Sequence, residues 1–255
     1  VKNGKWNKLL AAAERLLPSY RQATAGLGHE SKGIRPSELF FFYAFAAPRR
    51  PRRILESGRG RAQSTLVLAR LFPETAVVSL ESDPTSPDAA IAAERLRSCA
   101  NVECRFGDSR RLLRLLVEKD DFVLIDGPKD FRALKLAFQL LKTGRPTAVF
   151  VHDLWLGSPA RAFVDRFLPE ALLSDEPRWV ERYASLDSRK NIRPASSPNE
   201  RRAYGATLAS FERGEDYHRL LLRCTAAQGA HRLHEIRRKI LRRSPRSRPK
   251  DFAPG

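Results

Sequence analysis

The stretch Ile54-Leu55-Glu56-Ser57-Gly58-Arg59-Gly60-Arg61-Ala62-Gln63-Ser64-Thr65-Leu66 constrains this chain more than any other. A short apolar run breaks into two glycines at i and i+2 and resumes as a helical pattern led by Ser64 and Thr65. This reads as a buried strand, a tight turn without Cβ atoms, and a helix N-terminus aimed at a ligand. The next apolar run, Ala76-Val77-Val78-Ser79-Leu80, closes on Glu81, 21 positions after Gly60. A ribose-binding carboxylate belongs about there in a nucleotide-binding βαβ unit.

The pattern then repeats. Strands are predicted near 53–57, 76–81, 102–106, 121–126 and 147–152, with helices near 63–71, 87–97, 109–117 and 130–142. Nearly continuous apolar strands separated by helices make a parallel sheet covered on both faces. Right-handed crossovers place every strand's carboxyl end on one edge, where ligands bind. Glu56, Glu81, Asp108, Asp126 and Asp153 each end a strand, so five acids from distant parts of the chain are expected on one rim.

Up to this point a dinucleotide and an S-adenosylmethionine site fit equally. The full dinucleotide fingerprint wants a small residue three positions after the second glycine, and Gln63 stands there. Phe106-Gly107-Asp108-Ser109 follows the third strand, Ile125-Asp126-Gly127-Pro128-Lys129-Asp130 the fourth, and Val151-His152-Asp153 the fifth. With these in register, residues 35–213 resemble the class I S-adenosylmethionine-dependent methyltransferases, particularly the small-molecule O-methyltransferase branch.

That resemblance implies an α/β, Rossmann-like doubly wound, mostly parallel seven-stranded sheet with a C-terminal antiparallel hairpin. It implies S-adenosylmethionine as cofactor, with Glu56, Ser57, Gly58 and Gly60 around its amino acid end. Glu81 would take the ribose hydroxyls, and Asp108 and Ser109 would face the adenine; a plain helix N-cap is the other reading of Asp108-Ser109. In cation-dependent relatives, acids after strands four and five hold a divalent metal and a nearby lysine is the base. By that resemblance Asp126 and Asp153 are the metal candidates, with Mg2+ as the ion, and Lys129 or His152 the base. The usual acid-plus-amide pair is replaced by His152-Asp153, and without metal His152 is the simpler base. Arg59 and Arg61 depart from the usual small residues of the turn; they point to a more anionic ligand or to solvent.

Around this unit, an apolar stripe at Trp6, Leu9, Leu10, Ala13, Leu16 and Leu17 predicts a helix over 5–17 stopped by Pro18. Residues 21–35 read as a mobile loop, and Pro36-Ser37-Glu38 opens a second helix over 39–46. The rings of Phe40, Phe41, Phe42, Tyr43 and Phe45 suit sheet-packing core, with one or two available to roof the pocket. Trp179–Leu186 and Tyr204–Phe211 read as the two hairpin strands, joined by a polar loop over 187–202. Three segments follow: 1–47 as a helical cap, 48–213 as the methyltransferase-like domain, and 214–255 as a helix with a basic, disordered tail.

Net charge is +18, and Arg232 to Lys250 carries nine Lys or Arg against one acid, Glu235. Such a tail favours an anionic partner, RNA or an acidic membrane surface, although arginine-rich composition alone accounts for it equally well. No apolar run approaches the roughly 20 residues of a membrane span, and no signal segment opens the chain, so a cytoplasmic protein is expected. Cys99, Cys104 and Cys224 form neither a disulfide framework nor a metal spacing. The absence of methionine implies that the sequence is not a complete gene product. Two functions stand beside the favoured small-molecule O-methyltransferase: a nucleic-acid methyltransferase or RNA-binding relative, and a non-catalytic nucleotide-binding protein of the same fold. The chain lacks the N/D-P-P-Y/F signature of amino-directed nucleic-acid methyltransferases.

Overall fold

The structure, a computed structural model, describes residues 2–30, 33–187 and 207–243, with side chains through Arg238. Seven strands form one sheet: β1 Arg53–Ser57, β2 Ala76–Glu81, β3 Val102–Phe106, β4 Phe122–Ile125, β5 Ala148–Val151, β6 Leu172–Leu173 and β7 Ala209–Glu212. Their order is β3-β2-β1-β4-β5-β7-β6. The first five are parallel, while β7 runs antiparallel to both β5 and β6. This is the expected doubly wound, mostly parallel sheet with an antiparallel end.

Alternation along the central strands divides the core. Ile54, Val77, Phe122, Leu124 and Phe150 face one side, packing against α1 (Lys2–Thr24), α2 (Pro36–Ala46), α3 (Gln63–Leu71) and α8 (Pro177–Tyr183). Leu55, Val78, Val123, Ile125, Val149 and Val151 face the other, under α5 (Ser109–Leu116), α6 (Asp130–Lys142), α7 (Pro159–Phe167) and α9 (Tyr217–Arg243). Side chains alternate with a period of two, so strands buried on both faces must be apolar throughout. The remaining helix, α4 (Pro87–Leu96), joins β2 to β3.

Three expectations need correction. Pro18 does not stop α1, which runs through it to Thr24. The proline removes the amide that would bond the Glu14 carbonyl, but Tyr20 beyond it is buried, packs 4.8 Å from Phe40 and donates its hydroxyl to the Pro36 carbonyl. Residues 179–186 are not a strand. They fall in α8 and a 3-10 turn over Ala184–Leu186, where Trp179 and Tyr183, one turn apart, stack at 4.4 Å. Pro177 at the helix start and the i, i+4 aromatic pair were the overlooked helical signals. The hairpin partner of β7 is instead the two-residue β6. Phe40, Phe41, Phe42, Tyr43 and Phe45 are all buried, and none lines a cleft at the carboxyl edge of the sheet; Phe45 instead lines a cavity of about 560 Å3 between α1 and α2. The loop expected at 187–202 lies outside the described residues except Asp187, as do 204–206 of the strand expected there and the tail from 244.

Candidate functional site

The β1–α3 turn is built by backbone contact. Gly58 has φ +86°, and a Cβ there would lie 2.9 Å from the Gly127 nitrogen and 3.0 Å from the Asp126 carbonyl carbon. Glycine alone lets this turn approach the turn after β4 so closely. Gly60 also has positive φ, +49°, but faces open space. Glu81 ties the turn down: its Oε2 accepts from the Gly60 amide at 2.9 Å, while Oε1 accepts from the Ser82 amide and hydroxyl. Two clefts meet at Gly58. One, of about 280 Å3, is lined by Arg59, Gly60, Gln63, Ser64 and Asp126 among others. The second, of about 480 Å3, lies between Glu81, Ser82, Asp108, Ser109 and Pro128.

The two arginines of the turn differ. Arg61 is exposed and pairs with Asp88 and Glu30. Arg59 is 3% exposed, donates Nη1 to the Ser79 carbonyl at 2.7 Å and lies 4.7 Å over the Phe106 ring. Its Nε is buried without a hydrogen-bond partner among the described residues. Gln63, out of place in a dinucleotide fingerprint, has its own work: its amide accepts from the Glu30 backbone at 2.6 Å and contacts His29 Nδ1 at 2.9 Å. It thereby fixes the 29–30 segment beside the first cleft.

Of the expected cofactor residues, Glu56 is corrected. Its carboxylate is fully buried and accepts from Ser64 Oγ, Thr65 Oγ1 and Ser79 Oγ at 2.5, 2.5 and 2.8 Å. It latches β1 to α3 and β2 rather than meeting a ligand's ammonium. Burial raises its pKa, against the opposing pull of the three hydroxyls. Ser57 and Ser109 both donate to the Gly127 carbonyl, holding the turn after β4. Asp108 caps α5 by accepting from the Arg110 amide at 2.9 Å and pairs with the Arg110 guanidinium, whose hydrogen bonds lower its pKa. The N-cap reading is thus realised, while Asp108 still lines the larger cleft.

Past β4 and β5 the charged residues form one cluster. His152 is 5% exposed; its Nδ1 lies 2.6 Å from Asp126 Oδ1 and its Nε2 3.1 Å from Glu38 Oε2. Burial alone would lower the His152 pKa, but the flanking carboxylates of Glu38 and Asp126 outweigh it and push it up to about 10. Both ring nitrogens then donate, as only an imidazolium can. Lys129 Nζ bridges Asp126 Oδ1, at 2.5 Å, and Asp153 Oδ2. Desolvation works against its charge, yet the two carboxylates raise its pKa. The Asp153 backbone is left-handed, at φ +63°, a conformation aspartate tolerates better than most residues. Asp126 and Glu38 are held below their ordinary values despite burial, chiefly by His152.

Glu38 was missed as a site residue. It is 2% exposed, bonds the Arg35 amide at the start of α2 at 3.0 Å, and leaves Oε1 without a partner among the described residues. Its signal was present: a lone acid preceding the nine-residue apolar run Leu39 to Ala47 is helix capping in any reading, but also a charge entering the core.

The cradle at Gly58, the partly exposed Glu81 carboxylate and the unpartnered Arg59 Nε fit a nucleoside bearing an amino acid. Asp126, His152 and Asp153 bring ligand atoms within 4.8 Å of one another. As arranged they do not fit a divalent cation, because the Lys129 ammonium occupies the position between the two carboxylates and both His152 nitrogens are engaged. No helix among the described residues is long and apolar enough to cross a membrane.

No protein-family model matches the sequence, and no curated protein matches it. Among solved structures, the chain is similar to the O-methyltransferase TomG from Streptomyces achromogenes in complex with S-adenosylmethionine, at 22% identity over 78% of this chain and 89% of that one, TM-score 0.47. It is similar to an O-methyltransferase from Bacillus cereus, at 21% identity over 80% and 91%, TM-score 0.46. It is also similar to the Podospora anserina methyltransferase PaMTH1, at 14% identity over 83% and 96%, TM-score 0.46.

Proposed function

We propose that this protein is an S-adenosylmethionine-dependent methyltransferase acting on a hydroxyl of a small molecule, without a metal ion. The observation that carries the cofactor reading is the pair of clefts meeting at Gly58, with Glu81 on one side and Arg59 on the other. Glu81 retains one lone pair, on Oε2, for a ribose hydroxyl, and a second hydroxyl can take the place of the Ser82 hydroxyl on Oε1. Arg59 Nε donates to the cofactor's carboxylate. When bound, the cofactor supplies a methyl group on a sulfonium sulfur; this chain's residues position the acceptor and manage its proton.

Neither predicted base is free. His152, held as an imidazolium, has no lone pair to accept a proton, and its place is to orient Asp126. Lys129 is likewise protonated; its ammonium stabilises negative charge developing on the acceptor oxygen, the electrostatic role a cation would otherwise take. The hydroxyl proton passes to the carboxylate of Asp153, which is the more exposed of the two acids that Lys129 bridges. Asp126 therefore acts by holding Lys129, and Asp153 as the proton acceptor, neither as a metal ligand.

A panel of phenols, alcohols and amines of matched size, assayed with S-adenosylmethionine in the presence and absence of a chelator, tests this reading. Transfer to hydroxyls that persists with chelator supports it. Transfer only to amines, or turnover abolished by chelator and restored by magnesium, contradicts it.

A further inference from the structure

Helix α9 runs antiparallel to α6: Tyr217 packs 5.7 Å from Phe138, Gln228 meets Lys135 at 2.9 Å, and His231 lies 6.3 Å from Phe131. Because α6 starts at the carboxyl edge of the sheet, immediately after Lys129, α9 reaches that edge at His231 and continues to Arg243. Those 12 further residues carry it about 18 Å beyond. Tyr217, Leu220 and Cys224 are buried against the domain, whereas Leu222, Leu233 and Ile236 are 61%, 61% and 53% exposed. At 100° per residue these three fall within an arc of about 60°, forming an unpartnered apolar stripe. Arg232 and Arg237 flank it with no ion pair among the described residues. A second, independent apolar group stands on the same edge: Trp155, in the β5–α7 connection, is 49% exposed.

We infer that α9 docks on an anionic phospholipid surface along this stripe, with its projecting segment lying in the interface. Exposed leucine and isoleucine between arginines gain from hydrocarbon contact, and the arginines from anionic headgroups. A second copy of the chain would set like charges against each other. RNA would leave the stripe without cover. The inference does not depend on the reaction catalysed.

The three tryptophans make the test specific. Trp6 and Trp179 are fully buried, so Trp155 alone is exposed to report on a lipid surface. The full chain is titrated with vesicles of pure phosphatidylcholine and of an equimolar phosphatidylcholine–phosphatidylglycerol mixture, following tryptophan emission and co-sedimentation. The expected result is a blue shift and sedimentation with the mixed vesicles only, weakened by salt. A Leu233→Glu, Ile236→Glu double variant, changed only at exposed positions, keeps its melting temperature and binds at least roughly tenfold more weakly. Three results overturn the inference: equal binding to neutral vesicles; binding of an RNA oligonucleotide with none to vesicles; and a dimer in solution that the double variant abolishes.

Discussion

Gly58→Ala is the sharpest structural perturbation the site offers, because Gly60→Ala controls for it two residues away. Both glycines have positive φ, so each alanine takes the left-handed penalty of about 1–2 kcal/mol. Only at Gly58 does the added methyl collide, 2.9 Å from the Gly127 nitrogen and 3.0 Å from the Asp126 carbonyl carbon. These are backbone atoms of a neighbouring turn, which cannot swing aside as a side-chain tip would. Forcing extra volume into such a contact costs a further 1–3 kcal/mol, by the usual range of about that size for overpacking. Gly58→Ala should therefore be less stable than Gly60→Ala by about 1–3 kcal/mol, a gap of roughly 2–12 °C in melting temperature for a chain of this size. Thermal unfolding followed by circular dichroism, backed by urea titration, measures it. Equal stability of the two variants would refute the claim that backbone contact between the β1 and β4 turns builds the site.

Other consequences are as direct. Glu56→Ala leaves three buried hydroxyls without their acceptor and should destabilise the protein by about 2–4 kcal/mol in urea unfolding; a loss of binding with unchanged stability would return Glu56 to the ligand. Because the pKa of His152 is raised from an ordinary 6.5 to about 10, the stability its ion pairs contribute is fully present below about pH 6.5 and is lost as pH rises towards 10. Glu38 and Asp126, both lowered, contribute above the ordinary carboxylate range and lose it as pH falls. Unfolding free energy should thus fall between pH 7 and 10, and fall less in His152→Asn; matching slopes would show that His152 is not held as an imidazolium. Lys129→Met removes the ammonium between two carboxylates, so calorimetry should find magnesium bound roughly tenfold or more tightly than by the unaltered chain. Equal affinity would mean that Lys129 does not stand in for a cation.

The central strands β1, β2, β4 and β5 were legible from sequence because they are buried on both faces, so apolar runs and glycine turns mark them. Helix Gln63–Leu71 matches its predicted bounds for the same reason. Where tertiary contacts outvoted local signals, the reading failed: Tyr20 carries α1 past Pro18, and Pro177 with the Trp179–Tyr183 pair makes a helix from a stretch rich in strand-forming residues. At the site, strand-end positions gave the right cluster of Asp126, Lys129, His152 and Asp153 but not its protonation. That depends on Glu38, 114 positions from His152, and no local pattern shows that the two meet. Glu56 was misassigned because sequence places a side chain at a strand end without saying which hydroxyls surround it.

The central claim is that the turn at Gly58 and Glu81 holds S-adenosylmethionine. Titration calorimetry of the purified chain with S-adenosylmethionine, with NAD as the competing ligand and Glu81→Ala as the variant, tests it most directly. The account predicts binding of S-adenosylmethionine but not NAD, weakened in Glu81→Ala by about 1–3 kcal/mol, the scale for lost hydrogen bonds to a charged group. Tight NAD binding with none for S-adenosylmethionine, or full affinity in Glu81→Ala, would contradict it.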